Sequence, residues 1–159
     1  KIRPGALMRN WGLVYLGNFV GALLIAYFLM HMAGISGAEP WHTDIQNVAV
    51  AKTTIPWWEV FLRGIGANWL VCMAIWCGYA STSAIGKIIG LWFPVCCFVA
   101  LGFEHSVANM FFIPLGMMEG APVGIISFLW SNLIPSTLGN IVGGGFFVGV
   151  LYGKIHIGS

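Results

Sequence analysis

Charged side chains are scarce in this sequence. Of its 159 residues only 8% are charged, against the roughly 25% that is usual in soluble domains. A net charge of +2 provides no basic surface for a phosphate backbone, so nucleic acid is not expected as a partner. With 58% apolar residues, the composition also excludes a disordered chain and a water-soluble fold.

Motifs of soluble enzymes and metal sites are also missing. Gly64-Ile65-Gly66 lacks the third glycine of a dinucleotide-binding fingerprint, and the glycines at 143–145 lack the lysine of a phosphate loop. Four cysteines lie in apolar runs, without zinc-ligand spacing or a loop pair for a disulfide, and are expected to be buried packing residues: Cys72, Cys77, Cys96 and Cys97. We therefore expect no enzyme activity, no metal and no cofactor.

Long apolar runs are what the sequence has in abundance. About 20 apolar residues in a helix cross a hydrocarbon layer of about 30 Å. The runs predict complete spans at 11–33, 57–79 and about 128–152, and an ion pair between Glu59 and Arg63 on the second. The sequence thus predicts an all-α integral membrane protein, with residues 1–159 in a single transmembrane domain.

One predicted crossing is interrupted. The uncharged stretches 88–103 and 106–118 are each too short to span, and only Glu104 and His105 separate them, so together they predict one broken crossing. Irregular backbone at membrane depth is tolerated only where protein or a water-filled cavity satisfies it, so the break indicates a polar pathway. The alternatives are that Glu104 and His105 are a buried structural pair, or that His105 binds haem, for which His31 lies too near a span end.

The distribution of basic residues predicts the orientation. Basic residues near span ends favour the cytoplasmic side. That side would hold Lys1, Arg3, Arg9, Lys87 and Lys154. The opposite side would hold Glu39, His42, Asp44, Lys52 and Glu119. We therefore expect a multi-pass protein of the inner cell membrane with a cytoplasmic C-terminus.

A short internal repeat supports this topology. Residues 10–21 and 132–143 share their Asn, Leu-Gly-Asn, Val and Gly positions. Because the copies are three spans apart, they must run in opposite directions, as in inverted-topology repeats. The chain starts at Lys1 without a Met or signal peptide, so we expect it to be part of a longer protein whose second broken helix lies upstream.

Lys52 is a lone cation in a run of small apolar residues just before the second span. A cation there can raise the local concentration of anions at a pore mouth. An ordinary interfacial lysine, with its stem on lipid or protein, is an equally good interpretation.

Four motifs together resemble the formate/nitrite transporter family: Gly102-Phe103-Glu104-His105-Ser106-Val107-Ala108-Asn109-Met110, Ala67-Asn68-Trp69-Leu70-Val71-Cys72, Ala51-Lys52 and Leu138-Gly139-Asn140. The resemblance implies six helices per subunit in an aquaporin-like inverted repeat, with the second and fifth broken, and a pentamer with one pore per protomer. This chain resembles helices three to six. By the same resemblance His105 is the central pore histidine, Lys52 the vestibule lysine, Asn68 the histidine's polar neighbour and Phe98 a constriction residue, while Glu104 matches the family's glutamate.

The expected function is passage of a small monovalent weak-acid anion. Lys52 would attract the anion, and His105 with its Asn68 network would protonate it so that the neutral acid passes Phe98. The run 109–116 favours formate, although nitrite and hydrosulfide meet the same demands. A neutral-solute pore of aquaporin type is disfavoured because the paired Asn-Pro-Ala signature is absent, and a membrane anchor of a redox enzyme would hold haem.

Overall fold

The computed structural model describes residues 3–157, and all regular structure in that range is helical. The helices are α1 (Pro4–His31), α2 (Trp41–Thr54), α3 (Trp57–Ala80), α4 (Ala84–Ala100), α5 (Ser106–Met118) and α6 (127–157). Of these, α1, α3 and α6 are long and apolar enough to cross a membrane, while α4 and α5 are shorter. The predicted all-α class with a broken helix is therefore confirmed.

Helix α1 begins earlier than the hydropathy pattern predicts. It starts at Pro4 instead of residue 11, because proline fits the first turn of a helix, where its missing amide hydrogen is not needed. Its final turns, Ile25–His31, are π-helical. The hydropathy pattern locates only the apolar part of the helix, which begins at residue 11. The helix itself starts about two turns earlier, at Pro4.

The connection after α1 contains helix α2, which hydropathy did not predict. Its 14 residues are too few to cross a bilayer, and polar side chains interrupt its apolar positions. Lys52 lies in its last turn. The predicted second span is confirmed almost unchanged as α3, and its predicted surface pair is present, with Arg63 Nη2 3.1 Å from Glu59 Oε2.

The predicted break lies between α4 and α5. Ser83 begins α4 by accepting a hydrogen bond from the Gly86 amide at 3.0 Å, as an N-cap residue does. The helix ends at Ala100, and Gly102 follows with a φ of 65°, a left-handed conformation that glycine adopts without strain. Helix α5 then begins at Ser106, where the sequence placed the second half.

Helix α6 is continuous but not uniform. Ile134–Ile141 is regular α-helix between the π-helical stretches Ser127–Leu133 and Val142–Val150, and Leu151–Ile157 is α-helical again. The last predicted span, 128–152, is thus confirmed with a longer C-terminal end. The second repeat copy lies across the junctions between these stretches.

The chain forms two compact units. One comprises the chain up to Thr54 together with Val107–Leu129, and the other comprises Ile55–Ser106 and the chain from Trp130 onward. In the first unit Phe19 stacks on Phe128, with ring centroids 6.4 Å apart. The single transmembrane domain expected from the sequence stays a prediction.

In the second unit α3 packs against α4 and α6. Backbones meet where the glycines lie: a side chain on Gly139 would overlap the Phe61 carbonyl, and one on Gly143 would overlap the Ile65 carbonyl. Helices α3 and α6 therefore approach each other closely at these two glycines. The inverted direction of the two copies stays a prediction.

The prediction that all four cysteines are buried is wrong. Cys72 and Cys96 are half-buried, whereas Cys77 and Cys97 are exposed, and all four are free thiols. Apolar side chains need not face inward on a helix whose outer surface contacts lipid, so hydropathy alone does not show which face is buried.

Candidate functional site

The break is held in place by the side chain of Asn140. Its Nδ2 donates to the Glu104 carbonyl at 3.0 Å and to the Gly64 carbonyl at 2.8 Å, and its Oδ1 accepts from the Ser106 amide at 2.8 Å. One buried amide thus bonds the main chain on both sides of His105 and ties it to α3. The amide of Ser106, at the start of α5, is therefore bonded within the protein.

The Glu104 side chain lies inside the protein. Glu104 is 2% exposed, and its Oε2 accepts from Asn132 Nδ2 at 3.0 Å. Asn132 is itself fully buried on α6. A buried charge is tolerated when hydrogen bonds satisfy it, and the amide of Asn132 supplies one of them.

His105 is only half-buried, so it is not sealed among packed side chains. Its ring lies beside that of Phe98, with centroids 5.9 Å apart and planes inclined at 33°. Phe98 belongs to the last turns of α4, just before the break. The structure therefore brings together the predicted pore histidine and the predicted constriction residue.

Asn68 is bonded to the same network. Its Nδ2 donates to the Asn140 carbonyl at 2.7 Å, and a side chain on Gly144 would overlap its amide. Asn68 therefore binds the main chain of Asn140, whose side chain bonds the main chain on both sides of His105. Its expected place as the polar neighbour of the His105 ring stays a prediction. Glycine at position 144 leaves room for this half-buried amide.

Lys52 belongs to the other compact unit, where it is half-buried on α2. Helix α2 packs closely on α5: a side chain on Gly116 would overlap the Ala49 side chain and the Ile45 carbonyl. The proposed part of Lys52 in a pathway with His105 stays a prediction.

A second polar cluster surrounds Glu119, just after α5. Its Oε1 accepts from the Ser36 hydroxyl at 2.5 Å and from His31 Nδ1 at 2.9 Å, and its Oε2 lies 3.4 Å from His42 Nδ1. Gln46 Nε2 donates to the Glu119 carbonyl. The Ser36 hydrogen bond lowers the pKa of this carboxyl most strongly, against the raising effect of burial, and the bond and charge of His31 and the charge of His42 lower it further.

Sequence reasoning missed the roles of several polar residues. Asn132 was noted only as a repeat position, and Asn140 only as a repeat and motif position, although their burial and bonds hold the break. The Glu119 cluster was missed because its members are far apart in the chain. A polar residue recurring at a fixed position in both repeat copies is the signal that could have singled out Asn140. Within the described range no group of three His, Cys, Asp or Glu side chains is arranged to hold a metal ion.

Comparison with known families gives one result that covers most of the chain. Residues 1–153 match the family model described as formate/nitrite transporter. A "Probable formate transporter" of Methanothermobacter thermautotrophicus is 48% identical over 92% of this chain and 58% of its own length. "Formate channel FocA" of Escherichia coli strain K12 is 38% identical over 99% of this chain and 62% of its own length. The chain thus spans about three-fifths of these relatives.

Solved structures give the same result for the fold. A "Pentameric formate channel with formate bound" superposes with a TM-score of 0.85 and 34% identity, covering 95% of this chain and 67% of that one. An "FNT family ion channel" superposes with a TM-score of 0.87 and 33% identity, covering 95% of this chain and 60% of that one. The chain thus spans about two-thirds of the first structure and three-fifths of the second.

Proposed function

Because this chain belongs to the formate/nitrite transporter family, we propose that it is part of a membrane channel for a small monovalent weak-acid anion, with formate as the favoured substrate. The observation that carries the proposal is the half-buried imidazole of His105 in a helix break where Asn140 bonds the main chain on both sides of it. That arrangement holds the ring in a fixed position where a passing molecule can meet it.

The chemistry follows from the cost of moving a charge through an apolar medium. An anion without a partner pays many kcal/mol to leave water, whereas the neutral acid pays little. Lys52 raises the local concentration of the anion at the mouth of the pathway. Imidazolium at His105 then transfers its proton to a carboxylate oxygen, the neutral acid passes the ring of Phe98, and the imidazole regains a proton from water.

Two neighbours of His105 act through the main chain in this proposal. The side-chain amide of Asn68 donates to the Asn140 carbonyl at 2.7 Å. The side-chain amide of Asn140 in turn donates to the Glu104 carbonyl at 3.0 Å. They keep the break open in one conformation and so fix where the imidazole lies. The side chain of Glu104 is itself held by Asn132 on α6.

The assembly and orientation follow the same proposal. The protein is a transporter, not an enzyme, and its surroundings are the lipid bilayer of the inner membrane. Its C-terminus lies in the cytoplasm, as the basic residues at span ends indicate. It assembles as a pentamer, an inference supported by the pentameric formate channel that it resembles.

The test is anion flux through the purified full-length protein in proteoliposomes, comparing wild type with His105→Ala. We expect flux of formate to fall about tenfold or more, since about 1.4 kcal/mol of added barrier is a factor of ten, and its dependence on pH to be lost. Nitrite and hydrosulfide, measured beside formate at several pH values, identify the preferred anion.

Two controls accompany this measurement. His105→Ala should retain the unfolding temperature of the wild type, so that lost flux is not lost protein. Glycerol swelling separates the anion channel from a neutral-solute pore. A variant with unchanged formate flux and unchanged pH profile would falsify the proposed role of His105.

A further inference from the structure

The Glu119 cluster contains none of the residues assigned to the pathway. It does join α2, which carries Lys52, to the end of α5, which begins next to His105. Glu119 directly follows α5, whose first residue adjoins His105. Its partners come from the end of α1 through His31, from the following turn through Ser36, and from α2 through His42 and Gln46. One residue therefore connects α2 to the far end of α5.

This connection is strong because it is sheltered and carries several bonds. The Glu119 side chain is 6% exposed, and hydrogen bonds to an ionised carboxylate are stronger than those between neutral groups. Gln46 Nε2 donates to the Glu119 carbonyl and also lies 3.1 Å from His42 Nε2. Residues from two successive turns of α2 are therefore bonded to Glu119 or to each other. The titratable groups paired with the carboxylate are His31 and His42.

Close packing extends the connection along α2 toward Lys52. Gly116 meets the helix at Ile45 and Ala49, where any larger residue would push the two helices apart. Lys52 lies one turn beyond Ala49 on the same helix. The direction in which α2 presents Lys52 is therefore set by the contacts at Gly116 and Glu119.

We infer that Glu119 is a positioning residue for anion capture: by fixing α2 on α5 it sets the position of the Lys52 ammonium, and so the affinity for the anion. This inference rests on the proposed function of Lys52. It assigns Glu119 no contact with the substrate. A residue with this role changes the concentration of anion needed for transport, whereas His105 changes the rate and its pH profile.

The dependence on pH can be derived for the carboxylate. Because the pKa of Glu119 is lowered, its contribution is fully present above the usual carboxyl pKa of about 4.3 and is lost only as pH falls through the lower value in the folded protein. The Ser36 hydrogen bond to the ionised carboxylate should therefore persist throughout the neutral range.

The experiment measures formate flux against formate concentration for the full-length protein in proteoliposomes, with wild type, Glu119→Gln and Glu59→Gln. For Glu119→Gln we expect KM to rise about fivefold at about pH 8, with the maximal rate nearly unchanged. Glu59→Gln makes the same change in an exposed surface pair on α3 and should leave KM unchanged.

Hydrogen exchange of the α2 amides supplies a readout that needs no transport. Exchange over Trp41–Thr54 should quicken in Glu119→Gln and stay unchanged in Glu59→Gln. Faster exchange with an unchanged KM overturns the positioning role, as does a maximal rate that falls with KM unchanged. If the wild-type protein transports no anion, the proposed function is refuted instead. This failure is distinguishable from failure of the positioning role because hydrogen exchange is measured without transport.

Discussion

A single asparagine accounts for much of the geometry at the helix break. Asn140 uses its two amide hydrogens and its carbonyl oxygen on three main-chain groups, belonging to Gly64, Glu104 and Ser106. The Gly64 carbonyl lies within α3 and also has a helical partner, but the Glu104 carbonyl lies between helices and the Ser106 amide begins α5. Without Asn140 these two groups would lose this partner, and an unsatisfied buried polar group costs about 1–3 kcal/mol. The bonds span His105 from both sides, so they fix the ring indirectly.

Asn140→Ala should therefore lower both stability and transport. We expect a loss of about 2 kcal/mol or more in the free energy of unfolding, from two orphaned main-chain groups, and formate flux reduced at least about tenfold. Thermal unfolding and proteoliposome flux of the full-length protein check this. Asn47→Ala, on an exposed position of α2, is the matched control. An Asn140→Ala protein with wild-type stability would contradict the bonding role.

At the scale of elements, glycines on α6 allow it to pack closely against α3. A side chain on Gly139 would meet the carbonyl of Phe61, whereas one on Gly145, further along the same helix, would meet nothing within 4 Å. Glycine normally weakens a helix by about 1 kcal/mol relative to alanine. The glycine at 139 is therefore explained by packing with α3 and not by helix formation.

This contrast gives a paired prediction. Gly139→Ala should destabilise the protein by about 1–3 kcal/mol through overpacking against α3, despite the better helix propensity of alanine. Gly145→Ala gains the same propensity without a clash and should be neutral or stabilising. The unfolding temperatures of the two variants in detergent decide the matter, and equal temperatures would show that α3 and α6 can separate without cost.

The two repeat copies differ in what surrounds them. Gly139 and Gly143 face the backbone of α3, while a side chain on Gly17 or Gly21 would meet nothing within 4 Å in the described chain. Repetition in the sequence was visible at once, because identical letters recur at fixed spacing. Which copy is packed depends on neighbouring elements and could not be seen from the letters.

At the scale of the whole molecule, the proposed pentamer makes a prediction about independence. If each protomer holds its own pathway around His105, protomers should carry anion separately. Mixed assemblies of wild-type and His105→Ala full-length protein should then show formate flux that falls in proportion to the variant fraction. A sharper fall, in which one variant protomer silences its neighbours, would contradict one pathway per protomer. Native mass spectrometry of the same samples checks the subunit number.

The sequence by itself determined the membrane class, the long spans and the position of the break. These depend on local properties: apolar length sets a span, and Glu104 with His105 marks where an apolar helix cannot continue. The tertiary structure alone decided that Asn140 brackets His105, that Asn132 holds Glu104 and that Glu119 gathers two histidines. Such bonds join residues distant in the chain, and a polar side chain's partner is fixed by packing, which no local pattern encodes.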